Sequence, residues 1–178
     1  MVVGAYLSGF YKFSLALHIV CAVLGFGAVA LNGLYAQQIK VRLQTGKVSE
    51  ALAVHNANMK VSQIGEYLIY AVFVLGFVVL AQAKVGGHSV FEFSQTWVWL
   101  SVVLYLVAIG LVHAIMLPGS KRLRTLMEEM LAGPPPAGGA PPQVAEMQTI
   151  GQRMGTVGAI LDVILVVIIF LMVWKPGI

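Results

Sequence analysis

Four long apolar runs, separated by polar stretches, organise this chain of 178 residues. They cover about residues 13–36, 61–83, 96–117 and 156–174. Each run holds about 19–24 residues, close to the roughly 20 that a helix needs to cross the hydrocarbon core of a bilayer. A membrane strand would be shorter and would carry polar residues at alternate positions. The pattern therefore predicts an all-α fold, a four-transmembrane-helix bundle that makes a single membrane domain of residues 1–178.

The polar stretches are not all alike. Lys121 to Leu131 (KRLRTLMEEML) keeps helical spacing, with apolar Leu123, Leu126, Met127 and Met130. It either extends the third helix to about residue 131 or lies on the lipid surface. Gly133 to Pro142 (GPPPAGGAPP) follows. Proline fixes φ and has no N–H to donate, so this stretch is expected to be a linker. A short helix, Gln143 to Met154, is expected to lead into the fourth run.

Composition agrees with lipid as the solvent. The chain is 59% hydrophobic and 10% charged, where soluble domains average about a quarter charged. Charge placement adds a direction. Lys40, Arg42, Lys47 and Lys60 lie between runs one and two, and Lys121, Arg122, Arg124 and Arg153 between three and four. The other side carries only Lys12, Lys84 and Lys175. Basic residues favour the cytoplasmic face, so both termini are expected to be non-cytoplasmic, with the Pro/Gly-rich insertion in the cytoplasm. Tyr6, Tyr11, Trp97, Trp99 and Trp174 fit an aromatic belt at the outer interface. The basic residues flank apolar runs rather than forming one face, which argues against nucleic-acid binding. A multi-pass protein of the bacterial inner membrane is the expected setting.

Ala28-Val29-Ala30 has the form of a signal-cleavage site, but only Lys12 supplies charge ahead of it, so the first run is expected to stay as a membrane helix. The single cysteine, Cys21, excludes an internal disulfide framework.

Ionisable side chains at membrane depth are costly and usually face protein. His18 shares a stripe with Ser14, Cys21, Gly25, Ala28 and Asn32, small and polar where the rest of the helix is bulky. It is read either as a histidine bonded to a neighbouring helix or as a ligand for heme b or copper, with Met172 or His88 as partner. Glu66, His113 and Asp162 lie at similar depth in the inner half, where they would make a polar cluster or a proton relay. Gly151, Gly155 and Gly158 form a small-xxx-small ladder that leads to Asp162. His55 and His88 fall in connections, where histidine is ordinarily solvated. No CxxC, HExxH, nucleotide loop or serine elbow is present, so no catalytic residue is assigned.

Leu15 to Ala36 (LALHIVCAVLGFGAVALNGLYA), Thr96 to Arg124 (TWVWLSVVLYLVAIGLVHAIMLPGSKRLR) and Val166 to Gly177 (VVIIFLMVWKPG) resemble a group of small bacterial integral membrane proteins of unknown function. That group is distantly similar to the copper-resistance D proteins and to HemJ-type protoporphyrinogen oxidases. Leu17-His18-Ile19 and Lys175-Pro176 are the motifs shared with the HemJ type. The resemblance implies heme, porphyrin or copper handling, carried here by His18 alone. The tryptophan that opens helix three lacks the neighbouring lysine of the HemJ type, so porphyrinogen oxidation does not carry over. The expected function is a non-catalytic accessory or assembly subunit that meets other membrane subunits or copies of itself. A heme or copper redox protein and a small transporter or proton conduit are the alternatives.

Overall fold

The computed structural model describes residues 8–85, 88–133 and 141–176. Most of the proline-rich stretch, Tyr6 and the Gly86-Gly87 pair lie outside the described residues. The elements are α1 (Gly9–Ala30), α2 (Asn32–Gln44), α3 (Val48–Gln82), β1 (Lys84–Val85), β2 (His88–Ser89), α4 (Thr96–Leu111), a π-helical segment (Val112–Met116), α5 (Leu117–Ala132) and α6 (Pro142–Trp174). Four stretches are long and apolar enough to cross a membrane: Gly9–Gln44, Val48–Gln82, Thr96–Ala132 and Pro142–Trp174.

Helical structure reaches well beyond the apolar runs. The 35 residues of α3 extend about 52 Å at 1.5 Å per residue, against about 30 Å of hydrocarbon. Its apolar part begins at Val61, so the turns Val48–Lys60, with Glu50 and Lys60, stand outside the spanning segment. Residues 37–60, read from sequence as a connection, are in fact α2 and the start of α3. Likewise α6 starts at Pro142 rather than at the apolar run.

The element ends have local causes. Ser8 caps α1, its Oγ accepting the Tyr11 N–H at 3.1 Å. The first run does not continue unbroken to residue 36: it breaks at Leu31, just before the weak helix formers Asn32 and Gly33. After α2, Gly46 adopts φ +74°. Its N–H donates to the Leu43 carbonyl (3.1 Å) and the Lys47 N–H to Arg42 (2.8 Å), the paired reversal that ends a helix at a left-handed residue. The π segment precedes Pro118, which cannot donate to the Ala114 carbonyl and crowds it.

The chain forms two compact units. The first comprises described residues 8–31, 61–101 and 171–176. Here α1 and α3 run antiparallel in close contact. A Cβ added to Gly25 would meet Leu68 Cβ at 3.1 Å and the Gly65 carbonyl at 3.2 Å, and one added to Gly65 would meet Ala28 Cβ at 3.0 Å. Lipid supplies no hydrophobic drive between helices, so such small-residue faces matter because they let backbones approach. Beyond α3, β1 and β2 pair antiparallel with Lys84 opposite Ser89 and Val85 opposite His88. Phe91 then packs edge-on against Trp97 (centroids 5.2 Å), and Lys175 Nζ lies 4.3 Å above the Phe91 ring.

The second unit comprises described residues 32–60, 102–133 and 141–170. Its core is Ala51, Leu126, Met127 and Met147, ringed by Ile39, Leu43, Val48, Leu52, Leu123, Met130 and Ile150. The apolar face of α5 therefore packs on protein from α2, α3 and α6 rather than on a lipid surface. Ion pairs lie outside this core: Arg122 bonds Glu146 (2.8 and 3.0 Å) and Glu129 (3.2 Å), and Arg124 bonds Glu128 (2.8 Å).

Candidate functional site

The small polar stripe of α1 faces α3. Ser14 is buried and its Oγ lies 3.4 Å from Gln82 Nε2, which donates to it. One turn on, His18 stands against Gly76, whose missing side chain makes room for the imidazole: a Cβ there would lie 3.3 Å from His18 Cε1. The Val72 carbonyl, one turn before Gly76, engages the ring. Nδ1 is buried and has no hydrogen-bond partner among the described residues. Cys21 and Gly25 continue the buried stripe. The face read from spacing is thus a helix-packing face, and His18 is seated in a glycine notch of α3.

A metal or heme ligand needs an open lone pair about 2 Å from the ion. His18 Nδ1 is buried and the ring lies against Gly76 of α3. His88 is exposed on β2, and Met172 is 38% exposed near the end of α6. Neither makes a hydrogen bond or other polar contact with His18. Among the described residues, no group of three His, Cys, Asp or Glu side chains is placed to hold a metal.

Glu66, His113 and Asp162 occupy different surroundings. Glu66 accepts a hydrogen bond from the Tyr70 hydroxyl, one turn along α3. His113 lies in the π segment, with Nδ1 2.9 Å from the Ile109 carbonyl. Such widened turns recur at functional sites, but here the cause is Pro118. Asp162 is exposed on α6 and makes no hydrogen bond or ion pair with any described residue.

The two sides of α6 explain why. Along its apolar run Val157, Ile164 and Leu171 are buried, spaced seven residues apart as one helical face requires. Asp162 lies on the opposite side with Gly151 and Gly155, and Gly158 beside them. A Cβ at any of these glycines would meet nothing within 4 Å. Val166 and Ile169 prolong the stripe and are 65% and 52% exposed. Among the described residues the glycine ladder is therefore uncovered, and it carries a carboxyl group within the apolar helix.

Two features escape the sequence reading. His55, read as a solvated histidine in a connection, is 3% exposed. Its Nε2 lies 3.0 Å from the Ser120 carbonyl, which ties α3 to α5. Burial holds its pKa below the usual imidazole value, against the raising effect of the Ser120 carbonyl and with a smaller lowering by Arg124. The second is a cavity between the end of α3 and the hairpin. The Gly86-Gly87 pair between Val85 and His88 is a sequence signal for that hairpin.

Comparison with family models, with curated proteins and with solved structures gives no match to this chain. What stands on the fold is its class: with four helices fit to cross a bilayer, this is a polytopic membrane protein.

Proposed function

We propose that this protein is a non-catalytic accessory or assembly subunit of a larger complex in the bacterial inner membrane. In this reading its four helices form one bundle, and both termini and the hairpin lie on the non-cytoplasmic side. Asp162 carries the proposal. A carboxyl group at the centre of a membrane helix costs about 2.5–3.5 kcal/mol in lipid. Asp162 makes no hydrogen bond or ion pair among the described residues, and it sits on a stripe of glycines that leaves backbone open to close approach. A helix from another subunit, bringing a hydrogen-bond donor to Asp162 and small residues to Gly151, Gly155 and Gly158, would satisfy both features. Heme or copper handling, which the family resemblance implies, gains no support from the seat of His18 against Gly76.

Purification of the tagged full-length chain in mild detergent tests this. A membrane protein in stoichiometric amount is expected to co-purify, and to be lost from Gly155→Leu and Asp162→Leu while the isolated chain keeps its helical circular dichroism. A lone monomer in mild detergent would overturn the proposal.

A further inference from the structure

The cavity at the end of α3 is independent of the α6 face. It has a volume of about 600 Å³ and is lined by Phe77, Leu80 and Ala81 of α3, Lys84 and Ser89 of the hairpin, and Phe91, Glu92 and Phe93 ahead of α4. Its apolar part is built of aromatic rings: Phe77 stacks on Phe93 at 5.5 Å, and Phe73 packs edge-on against Phe77 at 4.8 Å. Phe93 remains 53% exposed.

The polar part carries both signs of charge. Lys84 and Glu92 line the same cavity and make no ion pair with each other. Lys84 has no hydrogen-bond or ion-pair partner among the described residues. Glu92 is held in place around Gln95: its own N–H donates to Gln95 Oε1 (3.3 Å), and that oxygen also accepts the Trp97 indole N–H (3.0 Å). Glu92 Oε2 accepts from the Ser94 hydroxyl (3.3 Å), which leaves Oε1 to an outside donor. The site lies where one apolar helix ends and the next begins, at the level of lipid headgroups.

We propose that this cavity binds a phospholipid whose headgroup bears a primary ammonium. Lys84 takes the phosphate, Glu92 takes the ammonium, and the upper part of an acyl chain lies on Phe77, Leu80 and Phe93. A purely anionic headgroup would satisfy Lys84 but face Glu92. A quaternary ammonium has no N–H to donate to Glu92.

Native mass spectrometry of the full-length protein tests the assignment, using dioleoyl lipids with ethanolamine, choline or glycerol headgroups. The ethanolamine lipid is expected to be retained about tenfold better than the other two, the size of effect of one charge-assisted hydrogen bond. Glu92→Gln should erase that preference, and Lys84→Gln should weaken all three lipids about tenfold, as loss of a charged phosphate contact implies. Lys47→Gln, a basic residue far along the chain, should change nothing. Equal retention of the three lipids, or a preference that survives Glu92→Gln, would overturn the proposal. So would full displacement by soluble phosphoethanolamine, because the acyl chain would then contribute nothing.

Discussion

His18 occupies the space that Gly76 leaves by having no side chain, with its Cε1 3.3 Å from where a Cβ would stand. The contact joins the polar stripe of α1 to α3 and explains why a histidine persists inside an apolar helix. It also sets a direction for mutation. Gly76→Ala should force the imidazole back by a few tenths of an ångström and lower stability by about 1 kcal/mol, the low end of the range for overpacking. Thermal unfolding in detergent measures this. The same preparation gives a visible spectrum, in which no Soret band dependent on His18 is expected. A band lost in His18→Ala would place a heme there instead.

The turn after α2 depends on one glycine. Gly46 has φ +74° but open space around it. Gly46→Ala therefore tests backbone strain without steric contact, and should cost about 1–2 kcal/mol. The expected signature is faster amide exchange in α2 and the first turns of α3. Unchanged exchange there would show that the reversal tolerates a side chain.

His55 should make the second unit sensitive to acid. Its folded pKa lies below that of the unfolded chain because burial disfavours the imidazolium. The unfolded state therefore takes up the proton first, and stability rises with pH through this window. The stability linked to neutral His55 is fully present above about pH 6.5 and is lost as the pH falls towards the folded value. Unfolding midpoints measured between about pH 7.5 and 5 should show this fall in the wild type. His55→Gln, which keeps a donor for the Ser120 carbonyl, should flatten it.

Leu126 is 1% exposed at the centre of the second unit's core. Leu126→Ala should cost about 2–5 kcal/mol, as for other large-to-small core changes. Limited proteolysis should then cut within residues 37–60 and 121–132. The Phe91–Trp97 contact of the first unit should be spared, and Trp fluorescence reports on it. Cleavage unchanged from wild type would show that α5 does not hold α2 and α3 in place.

The four spanning helices were legible in the chain because lipid demands it: backbone polar groups must be satisfied within each segment, and apolar length alone marks such segments. The face of α1 was legible too, since Ser14, His18, Cys21 and Gly25 recur at helical spacing. Residues 37–60 were not. Their apolar positions are interspersed with polar ones and make no unbroken run, and Ile39, Leu43, Ala51 and Leu52 pack where α5 and α6 bring Leu126, Met127 and Met147 against them. The burial of His55 follows from that same packing, 65 residues away in sequence.

Apolar length and helical spacing along the chain suffice to show that lipid is the solvent, which four segments are fit to cross it, and which face of α1 is polar. Which neighbour each face meets depends on packing between segments distant in sequence. Spacing places Gly151, Gly155, Gly158 and Asp162 on one stripe of α6, but a stripe packs only where another helix lies across it. Val157, Ile164 and Leu171 are buried instead, and among the described residues nothing comes within 4 Å of a side chain placed at those glycines.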